Sequence, residues 1–187
     1  MNQKQGFRYH WLNIRSIFVF MGVTIVFHFF FRRWASAWDY YPMKQMINLM
    51  YEFLTQQVYM QSKFMIKLFF KLNEGEETRK IIFAGGGYIG ISAGCSGLKQ
   101  MMQCVIVLLL TRGSFGHKLW FIPFGILMMH LSNLARILGL SFFVVYAPDY
   151  WNFAHDYFFR PLFYVVIFGL WVWWEERFRH CVSLRPE

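Results

Sequence analysis

Long apolar stretches alternate with short polar joints along this chain. Residues 14–31, 96–110, 118–146 and 157–174 are dominated by Phe, Ile, Leu, Val and Met. A helix needs about 20 apolar residues to cross a bilayer, so the pattern predicts four transmembrane helices. The first contains His28, and the second is short and weakened by Gly97 and Gln103. The third is long enough to include a bend at Pro123. The fourth ends in Trp171, Trp173, Trp174, Glu175, Glu176 and Arg177, an aromatic belt followed by a charged interface. The predicted class is an all-α integral membrane protein, with residues 1–187 forming a single membrane domain.

The segment between the first two spans reads differently. Over residues 43–72 the apolar positions Met46, Met50, Phe53, Leu54, Phe64, Met65, Leu68, Phe69 and Leu72 recur at helical spacing. Lys44, Glu52, Gln56, Gln57, Lys63, Lys67 and Lys71 fall between them. This predicts an amphipathic helix that either lies on the outer membrane surface or packs against the spans. Asn73-Glu74-Gly75-Glu76-Glu77 reads as a polar turn. Ile81-Ile82-Phe83-Ala84 and Tyr88-Ile89-Gly90-Ile91-Ser92 then flank Gly85-Gly86-Gly87, the pattern of a short glycine-turn hairpin. No Gly-Lys-Ser/Thr follows the glycines, so they do not make a phosphate loop.

Composition sharpens the membrane reading. Apolar residues make up 57% of the 187 and aromatics 22%, with 23 Phe and 8 Trp, above the balance of a soluble domain. The net charge of +9 is not gathered into one basic stripe with interleaved aromatics, which argues against nucleic acid as the partner. Short joints instead hold the basic residues: Lys4, Arg8 and Arg15 at the start, Arg112 and Lys118 in the second turn, and Arg177, Arg179 and Arg185 in the tail. The positive-inside rule places all three groups, and both termini, in the cytoplasm. The amphipathic segment, the hairpin and the joint 147–156 then share the outer face. The basic start, the core Ile17–Phe31 and the triplet Ala35-Ser36-Ala37 imitate a signal peptide, but Arg32 and Arg33 between core and triplet disfavour cleavage.

Candidate chemistry centres on Gly94-Cys95-Ser96-Gly97-Leu98, where the polar hairpin gives way to the second span. A thiol at the first turn of a helix gains positive potential from the helix end, and the flanking glycines leave it open to approach. Ser96 is placed to add a hydrogen bond. Cys104 lies nine residues further on, ~13 Å along a helix axis and out of reach of a disulfide with Cys95. Cys104 and Cys181 lack comparable neighbours and read as structural. There is no C-x-x-C or other metal-ligand spacing, and no metal or cofactor is expected. Arg136 is buried in the third span, where a charge costs at least about 2.5–3.5 kcal/mol. It lies 18 residues past Lys118, ~27 Å up the helix and level with Cys95 at the outer face. It either serves a site there or snorkels to the headgroups. Asn133, one turn lower, is placed to hold it, and His130 reads as a satisfied core histidine. His155, expected in the outer joint before the fourth span, is the third polar group at this level and a candidate base for the thiol. Its neighbour Asp156 is not expected to orient it, because adjacent side chains on a helix point apart.

Gly94-Cys95-Ser96-Gly97-Leu98, followed by Asn133-x-x-Arg136 and then His155 at the last span, resembles the exosortase/archaeosortase family of multi-pass membrane enzymes. The likeness covers about residues 71–174, and the string from His155 to Tyr164 is similar to compact versions from Bacteroidetes. The resemblance implies a cysteine transpeptidase or protease acting on exported proteins that carry a C-terminal motif, a membrane helix and a basic tail. Cys95 would be the nucleophile, with Arg136 and His155 as the other catalytic residues. Many members carry further N-terminal helices where this chain has one span, which leaves the need for a small partner subunit open. Two other classes stay in view: a non-catalytic membrane scaffold, and a bundle binding haem between His28 and His130.

Overall fold

The computed structural model describes residues 3–36, 43–73, 79–111 and 113–178, with side chains over 17–33 and from 44 onward within those ranges. The chain divides into two units, Met1–Tyr40 and Tyr41–Glu187, described separately. The first is one helix, α1 (Gln3–Ser36). It contains the expected first span and exposes Phe18, Val26, Phe29 and Phe30, a surface suited to lipid. The side chains of Lys4, Arg8 and Arg15 lie outside the described residues, as do residues 74–78 of the polar turn, Ala37, Arg112, Arg179, Cys181 and Arg185.

In the second unit the order is α2 (Met43–Phe69), β1 (Leu72–Asn73), β2 (Lys80–Phe83), β3 (Tyr88–Gly90), α3 (Leu98–Leu110), α4 (Phe115–Tyr146) and a last helix, Pro148–Phe178. Three helices among the described residues are long and apolar enough to cross a membrane: Ala93–Leu110, Phe115–Tyr146 and Pro148–Phe178. At 32 residues α4 is ~48 Å long, well beyond the ~30 Å of a hydrocarbon core, so one end projects.

The glycine-turn hairpin forms as read, with Lys80 opposite Gly90, Ile81 opposite Ile89 and Ile82 opposite Tyr88. Residue 72, assigned from the sequence to the amphipathic helix, belongs instead to β1, which adds an antiparallel third strand through Leu72 opposite Phe83. This sheet covers the projecting end of α4. Phe70, Ile81, Phe83, Ile89 and Ile91 share one buried cluster with Leu134, Ile137 and Leu140 of α4. A Cβ on Gly87 would stand 2.9 Å from Val144 Cγ1, so the turn lies against the helix end.

The three long helices pack antiparallel in sequence. Gly97 faces Asn133, and Gly125 faces Cys104 and Leu108, which fixes α3 against α4. Gly139 faces Phe159, Arg136 lies under Phe163 and Phe121 meets Trp174, which fixes α4 against the last helix. At the opposite end from the sheet, Lys118 donates to the carbonyls of Leu109 and Thr111 at 2.7 and 2.6 Å. A buried ammonium there closes the C-terminus of α3, where carbonyls lack helical partners.

Helix α2 packs against α4 and against the turn that carries Cys95. Buried Thr55, Val58, Ser62 and Ile66 form its inward face, and Met46, Leu49, Met50 and Phe53 form an exposed apolar stripe at i, i+3, i+4 and i+7. Thus the helix is packed against a span and still presents an apolar surface outward. Glu52 is tied to Arg79, just before β2, by an exposed ion pair.

The fourth span begins earlier than its hydropathy suggests. The joint 147–156 is not a loop: the chain is helical from Pro148, with a 3-10 turn Pro148–Tyr150, a short α segment Trp151–Phe153, a π segment Ala154–Phe159 and α-helix Arg160–Phe178. Pro148 starts it without wasting a donor. Arg160-Pro161 therefore lies inside the helix and not at its first turn. Pro161 has no N–H, and its ring would crowd the carbonyl of Tyr157 in a regular α-helix. The π segment widens the ladder where that carbonyl sits.

Two outcomes test this packing. A methyl group on Gly139 would stand 2.4 Å from Phe159 Cζ, while one on Gly169 meets nothing within 4 Å. Gly139→Ala is expected to lower stability in detergent by about 1–3 kcal/mol and Gly169→Ala to leave it unchanged or slightly raised, read as melting temperatures. The hydrogen bond and charge of Arg79 hold the Glu52 carboxyl below its ordinary 4.5. Since the folded-state value is depressed, the contribution is present above the ordinary carboxylate value and lost as pH falls through the folded one. Glu52→Gln should slightly lower the melting temperature at about pH 7, and the difference should shrink as pH falls below the ordinary carboxylate value and as salt rises.

Candidate active site

Each residue of the Cys95 pentapeptide has a local reason. Ala93–Cys95 form a 3-10 turn, with the Cys95 N–H donating to the Ser92 carbonyl at 2.8 Å. Cys95 is thus on a separate turn ahead of α3 and not in the first turn of that helix. The Ser96 hydroxyl, fully buried, accepts from the Leu98 N–H at 3.3 Å and helps start α3. Gly97 takes the left-handed conformation at φ 76° that redirects the chain into α3. A Cβ there would also stand 3.2 Å from Asn133 Nδ2, so both backbone angle and space call for glycine.

Asn133 has a different task from the one expected. Its Nδ2 donates to the Cys95 carbonyl at 2.6 Å, so it holds the backbone of Cys95 and not Arg136. The reason is positional: the 3-10 turn lowers its carbonyl onto α4 one turn below Arg136. Asn133 is fully buried, and its Oδ1 has no partner within the protein.

Arg136 is 6% exposed and does not snorkel. Its guanidinium carbon lies 5.4 Å from the centre of the Phe163 ring, a cation–π contact with the last helix. Its charge also lies near enough to the Cys95 thiol for the two to act on each other electrostatically. Its Nε is buried without a partner, a donor left over at the site. The Cys95 sulfur is half-buried and 3.9 Å from Ser92 Oγ. Cys104, in contrast, is 1% exposed beside Gly125.

His155 stands apart from this group. It makes no hydrogen bond to Cys95; its Nδ1 lies 2.8 Å from Asp156 Oδ1, and its ring stacks on Trp151 at 5.0 Å and 7°. Asp156 is therefore its partner, contrary to the expectation for adjacent residues on a helix. Both lie in the π segment, where the wider turn brings successive side chains closer together. Asp156 also pairs with Arg160 at 3.2 Å, and the charge of Arg160 acts on Arg136. Trp151 packs on the same cluster as Cys95.

The structure thus brings Cys95, Ser96, Asn133 and Arg136 together. His155 is paired instead with Asp156, which also holds Arg160. Sequence reasoning missed Ser92, Trp151, Arg160 and Phe163. Only Arg160 and Phe163 had a signal, being four and seven residues beyond Asp156 on the helix facing α4. His130, the candidate haem ligand, has its Nε2 2.6 Å from Gln61 Oε1. Among the described residues no group of three or more His, Cys, Asp or Glu could hold a metal ion.

No family model, curated protein or solved structure matches the chain.

Removing the Asn133 amide tests the hold on the nucleophile. Asn133→Ala leaves the Cys95 carbonyl without its donor and is expected to cost about 1–3 kcal/mol. The measurement is detergent melting, with faster amide exchange over residues 93–97 and little change in the sheet.

Proposed function

We propose that this protein is a membrane-embedded cysteine transpeptidase or peptidase of the exosortase type. It cleaves C-terminal sorting signals of exported proteins at the outer face of a bacterial inner membrane. The observation that supports this most is the buried guanidinium of Arg136 engaged with the half-buried thiol of Cys95. A charge is costly at that depth, so a buried guanidinium beside a thiol calls for a use there. The order Cys95, Asn133-x-x-Arg136, His155 adds the family resemblance. In this reading α1 supplies the first of four spans, and both termini are cytoplasmic.

In the proposed reaction His155 takes the Cys95 proton, and the thiolate attacks the scissile carbonyl carbon. The Arg136 guanidinium stabilises the oxygen that becomes negative. The C–N bond breaks as the imidazolium returns its proton to the leaving amine, which departs with the membrane helix and basic tail. An amine, hydroxyl or water then attacks the thioester and frees the thiol. In this reading the Arg136 Nε donor and the Asn133 Oδ1 acceptor, both without a partner among the described residues, bond the substrate backbone.

The test compares C-terminal peptides of exported proteins in cells producing wild type, Cys95→Ala or Arg136→Lys. Cys95→Ala should leave the sorting signals attached. Arg136→Lys keeps charge and loses the planar fork, and should slow processing ~10²–10³-fold. Unchanged processing in Cys95→Ala would mean a scaffold and not an enzyme.

A further inference from the structure

We infer that Asp156 is a positioning residue that fixes which nitrogen of His155 is basic, with Arg160 and Trp151 holding the pair in place. The inference rests on the proposed reading of His155 as the proton acceptor for Cys95. The Nδ1···Oδ1 distance is 2.8 Å, and an ionised carboxylate only accepts, so the His155 proton sits on Nδ1. Nε2 then keeps the lone pair and is the nitrogen that takes a proton from a thiol.

Two further contacts restrict this pair. Arg160, one turn along, holds the same Asp156 Oδ1 at 3.2 Å, which limits rotation of the carboxylate. Trp151, one turn back, lies parallel to the imidazole at 5.0 Å and 7° and limits rotation of the ring. Trp151 itself is anchored on the cluster that also supports Cys95. The pairing of adjacent residues needs the π segment Ala154–Phe159, so the local widening of the helix has a use besides accommodating Pro161.

The test is nitrogen NMR of the full chain labelled with ¹⁵N-histidine in lipid nanodiscs, at a pH where imidazole is neutral. The His155 signal is assigned by its loss in His155→Ala. The Nδ1–H tautomer should be in the majority in wild type and in the minority in Asp156→Ala. Arg160→Gln should give an intermediate population. A majority of Nε2–H in wild type, or an unchanged population in Asp156→Ala, overturns the inference whatever the activity. Processing of exported proteins supplies the second readout: Asp156→Ala should reproduce most of the loss seen in His155→Ala, ~10²-fold or more. If the tautomer is as expected but His155→Ala processes normally, the functional reading of His155 fails, and with it the role of Asp156. If His155→Ala is inactive and Asp156→Ala fully active, the functional reading stands and the positioning role falls.

Discussion

Arg136 carries a permanent charge among apolar helices, and the neighbouring elements are arranged around that charge. Its guanidinium is almost fully buried, covered on one side by the Phe163 ring and directed on another toward the Cys95 sulfur. Each contact comes from a different element: the last helix supplies the ring, and the 3-10 turn before α3 supplies the thiol. Moving either element would leave a charge without compensation in a medium that solvates it poorly. That requirement couples the position of the last helix to the position of Cys95.

The second constraint is the backbone at Cys95. A thiol on an unsupported turn would wander, and its reactivity would gain little from a fixed charge nearby. Asn133 pins the Cys95 carbonyl, Gly97 allows the turn to lie against Asn133, and buried Ser96 starts the helix that follows. The sheet braces the same turn from the other side, because β3 runs directly into it and its core is shared with α4. The small sheet is therefore a support for the site as much as a cover for the projecting end of α4.

Much of this was legible in the chain. The Gly85-Gly86-Gly87 hairpin follows from β-branched and aromatic runs around a glycine turn. The level of Arg136 relative to Cys95 follows from helical rise counted from Lys118. What the sequence hid were contacts between distant elements. Asn133 lies three residues from Arg136, so pairing them was natural, yet its true partner is 38 residues away. The helical start at Pro148 was masked by Pro148-Asp149, which reads as a turn, and the π widening that joins His155 to Asp156 has no periodicity to announce it. Hydropathy also missed how α2 is used, since its inward face includes Thr55 and Ser62 while methionines and phenylalanines face outward.

The proposed chemistry requires that the reactivity of Cys95 depend on Arg136. The direct measurement is alkylation by iodoacetamide in membranes at about neutral pH, followed on the separate peptides of Cys95 and Cys104. Cys95 should react much faster than buried Cys104, and Arg136→Gln should slow Cys95 ~10-fold while leaving Cys104 unchanged. A Cys95 rate that does not respond to loss of the guanidinium would contradict the account.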